Sequence, residues 1–125
     1  MVRPCYIKLH TTSRYLELIY ADQSYQLSCE YLRVFSPSAE VRGHPGQAPA
    51  LQVGKIDVII KDIKTVGNYA LKFTFSDNHD SGLYSWNYLY DLAVNQEKYW
   101  TQYLARLVKE RGSRQPDEMI VNIVD

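Results

Sequence analysis

The sequence predicts an α+β domain: a small, mostly antiparallel β-sheet with a short helix and a longer C-terminal helix. Three observations lead there. Apolar residues alternate with polar ones in short runs between Tyr15 and Phe75, helical periodicity is concentrated after Ser85, and a Pro- and Gly-rich stretch with neither period lies between the strand-like runs. At 125 residues the chain reads as a single domain, 1–125, with a core that needs neither disulfide nor metal to fold.

The elements follow in order. In Tyr15-Leu16-Glu17-Leu18-Ile19-Tyr20, Leu16, Leu18 and Tyr20 share one strand face, and Ser24-Tyr25-Gln26-Leu27 continues the alternation after Ala21-Asp22-Gln23. This is a hairpin, with Ile7 to His10 as an additional strand. At Ser28 the period changes: its hydroxyl can cap a short helical turn carrying Tyr31, Leu32 and Phe35, which Pro37 stops. Ser36 to Gly54 carries Pro37, Pro45, Pro49, Gly43, Gly46 and Gly54 and reads as a long loop, exposed from Gly43 to Gln47. Ile56 to Ile60 and Ala70 to Phe75 form a second strand pair, turned at Gly67-Asn68, with Leu71, Phe73 and Phe75 inward.

Ser85 can cap a helix from Trp86 to Ala93, and Asn95 a longer one in which Trp100, Tyr103, Leu104, Leu107 and Val108 make one apolar stripe ending before Gly112. The tail 113–125 carries Met119, Ile120, Val121, Ile123 and Val124 and is expected to dock loosely as an extended segment.

Composition excludes several classes. Fourteen basic residues balance fourteen acidic ones, so no net field draws the chain to nucleic acid or to an anionic membrane. No apolar run approaches the about 20 residues that cross a bilayer, and Met1 to Tyr6 lacks a secretory h-region, so a cytoplasmic location is expected. Cys5 and Cys29 form no Cys-x-x-Cys pair and are read as reduced, separately buried thiols.

Catalytic motifs are sparse. Gly43-His44-Pro45-Gly46 lacks the Lys-Ser/Thr pair and strand-loop-helix setting of a phosphate-binding loop, and no Gly-x-Ser-x-Gly elbow occurs. His79-Asp80-Ser81 has the residue types of a nucleophilic triad, but neighbours on one turn point apart whereas triad members converge from separate segments. The chain is therefore not read as an enzyme. Eleven tyrosines and two tryptophans are many for this length, and Tyr84, Trp86, Tyr88 and Tyr90 recur at every second position. On a helix those rings cannot all face the core, which leaves some to be exposed or presented to a partner.

Leu32-Arg33-Val34-Phe35-Ser36-Pro37-Ser38-Ala39-Glu40-Val41 and Asp77-Asn78-His79-Asp80-Ser81 resemble the zinc-binding frame of the gamma-butyrobetaine hydroxylase-like N-terminal domain family, over roughly Ile7 to Leu92. Metal-binding relatives follow a Leu-Arg pair with Cys-x-Cys-x-x-Cys and complete the site with a later His. Here those positions read Ser36, Ser38 and Val41, and only His79 is kept. Zinc favours a tetrahedron of N and S ligands, and protonated serine hydroxyls are poor substitutes, so no bound zinc or iron is expected. A weaker metal site would have to combine His79 with His44, His10, Glu40, Asp77 or Asp80. The iron and 2-oxoglutarate of the hydroxylases bind a larger, separate domain through a His-x-Asp that is absent here.

Similar domains also occur fused to P-loop ATPases of iron–sulfur cluster assembly. The resemblance thus implies a non-catalytic interaction or accessory domain linked to metallocofactor metabolism, with a protein as partner. The alternatives are a weak metal-binding protein using His79, and then a small enzyme. The expected partner surface gathers Arg33, Ser36, Ser38, His79 and Tyr84 into a shallow polar patch suited to an anionic group or acidic peptide. The competing role for Arg33 is an internal brace to Glu40 or Asp77.

Overall fold

The computed structural model describes residues 2–43, 45–46 and 48–116. It is an α+β arrangement with two antiparallel three-stranded sheets, β1-β2-β3 and β4-β5-β6, where the sequence suggested one small sheet. The first sheet comprises β1 (Tyr6–His10), β2 (Tyr15–Ile19) and β3 (Ser24–Ser28), in the register Leu9↔Leu16↔Leu27. Leu16, Leu18 and Leu27 are fully buried, as the period-two pattern requires, each such burial being worth about 1.5–3 kcal/mol.

Ser28 caps α1 (Cys29–Val34), its Oγ accepting from Tyr31 N at 3.0 Å. The following segment is not wholly irregular: a single turn, α2 (Ala39–Arg42), interrupts it. Gly43, Pro45 and Gly46 are exposed as expected, whereas His44 and Gln47 lie outside the described residues.

The second sheet begins later than the sequence suggested. β4 runs Ile60–Val66, and Ile56 and Asp57 belong to a turn in which Val58 N donates to Lys55 O. A register shift between Ile60 and Asp62 breaks the alternation that would have marked this edge strand. β5 (Ala70–Phe75) buries Leu71, Phe73 and Phe75, and β6 (Leu83–Ser85) pairs with it, placing Tyr84 opposite Leu71.

Tyr84 is therefore on a strand. The every-second aromatic pattern crosses from β6 into α3 (Trp86–Val94), whose cap Ser85 accepts from Tyr88 N. Tyr84 and Trp86 are buried while Tyr88 and Tyr90 are half-buried, so the change of backbone period resolves the crowding expected of a continuous helix.

α4 (Gln96–Lys109) buries Tyr103 and Leu107 against Val34, with Phe35, Leu51 and Trp100 half-buried around them. The apolar stripe is narrower than the sequence suggested: Leu104 is 37 % exposed and Val108 81 %. Asn95 caps α4 only by position, because its side-chain amide donates back to Asp91 of α3. Residues 113–114 dock by backbone bonds from Gly54 to Ser113 and from Ile56 to Arg114, and Arg114 pairs with the buried Glu30 through two bonds of 2.7 and 2.8 Å. The apolar run from Met119 to Val124 lies outside the described residues. Both cysteines are free; Cys29 is buried but Cys5 is exposed, contrary to the expected pair of buried thiols. Among the described residues no helix is long and apolar enough to cross a membrane.

Candidate functional site

The site forms where the end of α1 meets the tip of the β5–β6 hairpin. A helix end leaves carbonyls without intrahelical donors. Here tyrosines supply them: Tyr84 donates its hydroxyl to Leu32 O and Tyr88 donates to Phe35 O, both at 2.5 Å. These bonds pin the chain entering Ser36. On the other side, Phe75 N donates to His79 O and Asn78 N to Phe75 O, closing a tight turn in which Asn78 adopts φ +66°, a conformation asparagine tolerates better than most residues. That turn delivers His79 to the serines.

His79 Nε2 lies 2.8 Å from Ser36 Oγ and 3.3 Å from Ser38 Oγ, with Ser38 N–H aimed at Ser36 Oγ at 3.4 Å. On the opposite edge of the ring, Nδ1 is 3.5 Å from Glu40 Oε2. Ser38 occupies the N-cap position of α2 yet makes no side-chain cap bond there, its hydroxyl being turned to His79 instead. The approach is close throughout: a Cβ on Gly82 would stand 2.5 Å from Ser36 Oγ and 3.1 Å from Pro37 Cδ.

Burial lowers the His79 pKa, reinforced by the Arg33 charge; Asp77 and Glu40 oppose this without reversing it. The imidazole is thus held neutral. With its proton on Nδ1 toward Glu40, the Nε2 lone pair faces both hydroxyls.

Arg33 is a brace. Its Nε donates to Asp77 Oδ2 at 2.9 Å and its Nη1 to Gln52 Oε1 at 3.1 Å, and Lys55 Nζ shares the same carboxylate oxygen at 2.8 Å. For Asp77, partial burial pushes the carboxyl up, but the bonds from Lys55 and Arg33 outweigh it and hold it below the usual carboxylate value. All the residues expected to form a partner surface do converge, but inward: Arg33, Ser36, Ser38, His79 and Tyr84 are buried. An interior network, rather than a shallow exposed patch, occupies this position. Val41 is buried beside it. Of the other residues considered for metal, Glu40 and Asp77 approach His79, Asp80 is exposed, and His10 bonds Glu17 on the other sheet; His44 lies outside the described residues. Among the described residues no group of three or more His, Cys, Asp and Glu side chains is arranged to hold a metal ion.

Sequence reasoning missed a cleft of about 400 Å³ that opens beside this network and includes Ser36 in its lining. Its walls come from α1, α2, the segment 49–52, α3 and α4. The tyrosine hydroxyls here are already engaged, Tyr88 with Phe35 O, Tyr99 with Asp91 and Tyr103 with Gln52 O, so these residues line the cleft without a free hydroxyl donor. Arg42 lies over the Tyr88 ring, 5.1 Å from its centroid, with no carboxylate in ion-pair range among the described residues. The signal in the sequence was the tyrosine excess; its assembly needed four helices and the segment 49–52 to meet.

Fold and site together define a class, small two-sheet α+β domains in which two serines and a histidine meet in the interior. The chain belongs to the gamma-butyrobetaine hydroxylase-like, N-terminal family, whose model matches residues 7–90. It is similar to two proteins with NMR solution structures. One is 48% identical with a TM-score of 0.83, covering 98% of each chain. The other is 47% identical with a TM-score of 0.79, covering 99% of this chain and 95% of that one. A crystal structure of a protein of unknown function from Acidithiobacillus ferrooxidans is 34% identical, with a TM-score of 0.60 over 73% of this chain and 92% of its own. No curated protein matches the chain.

Proposed function

We propose that the protein is a non-catalytic interaction module of the cytoplasm whose ligand is an acidic, apolar-flanked peptide of a protein partner, held in the cleft between α2 and the α3–α4 pair. The observation that supports this is the Arg42 guanidinium stacked on Tyr88 at the edge of a concave, ring-lined space of about 400 Å³. A cation of that kind favours a carboxylate, and the faces of Phe35, Tyr88, Tyr99 and Tyr103 favour an aromatic or aliphatic neighbour. Because the ring hydroxyls are spent on backbone and Asp91, specificity rests on shape and on charge: Asp91 is occupied by Tyr99 and Asn95, Arg106 is paired with Glu110, and Arg42 is left for a carboxylate. Family membership suggests the setting, an accessory to iron–sulfur or other metallocofactor metabolism, since related domains are joined to proteins of that kind.

The test is selection from a displayed random-peptide library, followed by binding of the selected peptides to an Arg42→Glu variant. Arg42 is exposed, so reversing its charge leaves the core untouched. Acidic residues adjoining an apolar one should be enriched, and affinity should fall at least about tenfold on charge reversal, the loss of roughly one charge-assisted hydrogen bond. Selected peptides without acidic residues, or binding unchanged by Arg42→Glu, would overturn the reading.

A further inference from the structure

We propose that Ser36 is a nucleophilic serine, activated by His79, that accepts one acyl group from an activated ester or thioester. The geometry points to it. Ser36 Oγ is 2.8 Å from His79 Nε2, within the range over which a base removes a hydroxyl proton, and the exposed carboxylate of Glu40 lies 3.5 Å from the other ring nitrogen, a charge contact without a hydrogen bond. These residues come from three places in the chain, the exit of α1, the turn of α2 and the β5–β6 tip, which is the convergence that adjacent His79-Asp80-Ser81 cannot achieve.

Ser38 N–H points at Ser36 Oγ at 3.4 Å and helps fix its position, and Ser36 borders the cleft through which a small acyl group would enter. Ser36 is otherwise almost fully buried, at 2 % exposure, which restricts the donor to small acyl groups and keeps bulk water from the ester once formed. The capability is separate from peptide binding and involves no turnover.

The step balances. Ser36 Oγ forms a bond to the carbonyl carbon, its proton passes to His79 Nε2, the bond from that carbon to the leaving oxygen or sulfur breaks, and His79 returns the proton to the leaving group. Glu40 steadies the transient imidazolium. Removing the base should slow acylation by about 100-fold or more, the range general-base assistance usually supplies.

The experiment is treatment of the folded protein with p-nitrophenyl acetate, followed by intact-mass measurement and peptide mapping. One acetyl group on Ser36 is expected, absent in Ser36→Ala, retained in Ser38→Ala and formed far more slowly in His79→Gln. Each variant is first shown to melt cooperatively. If His79→Gln fails to fold, the Ser36→Ala and Ser38→Ala pair decides alone. No acetylation, or acetylation confined to lysine, tyrosine or the amino terminus and unchanged in Ser36→Ala, overturns the proposal.

Discussion

His79 Nε2 and Ser36 Oγ stand 2.8 Å apart although 43 residues separate them in the chain. This bond joins the exit of α1 to the tip of the β5–β6 hairpin. Hydrogen bonds maintain this junction: tyrosine hydroxyls on the α1 carbonyls, serine hydroxyls on the imidazole, and a shared carboxylate between Arg33 and Lys55.

Restoring the thiolates should restore the metal. A Ser36→Cys, Ser38→Cys, Val41→Cys variant places sulfur at two positions already in contact with His79 Nε2 and at a third buried next to them. It is expected to bind one equivalent of zinc by elemental analysis and to melt at a lower temperature with a chelator present, whereas the unsubstituted protein is expected to carry well under one equivalent and to show no chelator shift. Failure of the variant to bind zinc while folded would mean the positions no longer span a tetrahedron.

Acid should weaken the fold through His79. Its native pKa is lowered from the ordinary 6.5, so its stabilising contribution is complete above that value and is lost as the pH falls toward the native one. The unfolded chain binds the proton more readily over this window, which gives stability a positive slope with pH. Urea midpoints between about pH 7 and about pH 5 should fall more steeply than in His79→Gln. Asp77 adds a second loss only below its ordinary 3.8, as the pH drops through its depressed native value.

Arg33→Ala should destabilise by about 1–3 kcal/mol, since it leaves Gln52 without its donor and Asp77 with Lys55 alone. Urea denaturation measures this directly. A variant as stable as the parent would mean that Arg33 does not brace this segment.

Gly82→Ala forces a methyl group against Ser36 Oγ and the Pro37 ring. The expected cost is about 1–3 kcal/mol, typical of overpacking a tight contact. Thermal melting reports the cost, and the His79 ring proton resonances should shift as Ser36 is pushed from the imidazole.

Much of the scaffold was legible because it is local. Ser28 and Ser85 cap helices through bonds to residues three positions ahead, and Leu16, Leu18, Phe73 and Phe75 alternate as strands do. Where an element's boundary depended on a distant partner, local reading strayed. Ile56 to Ile59 looked like strand, but Ile56 N–H bonds Arg114 O across the fold, and a bulge hid the alternation of β4. Leu104 and Val108 looked like core because periodicity identifies an apolar stripe without saying how wide a surface will cover it.

The family, the α+β class and the Ser28 and Ser85 caps are readable in the sequence alone, which also singles out Arg33, Ser36, Ser38, Val41 and His79. Only the tertiary structure decided that these side chains face inward, that Tyr84 belongs to a strand, and that Glu40 joins His79 from the opposite side of Ser36. The reason is the range of the forces involved. Capping and alternation act over a few residues, whereas the direction a polar side chain faces is set by whichever donors, acceptors and rings arrive from elsewhere to replace its water.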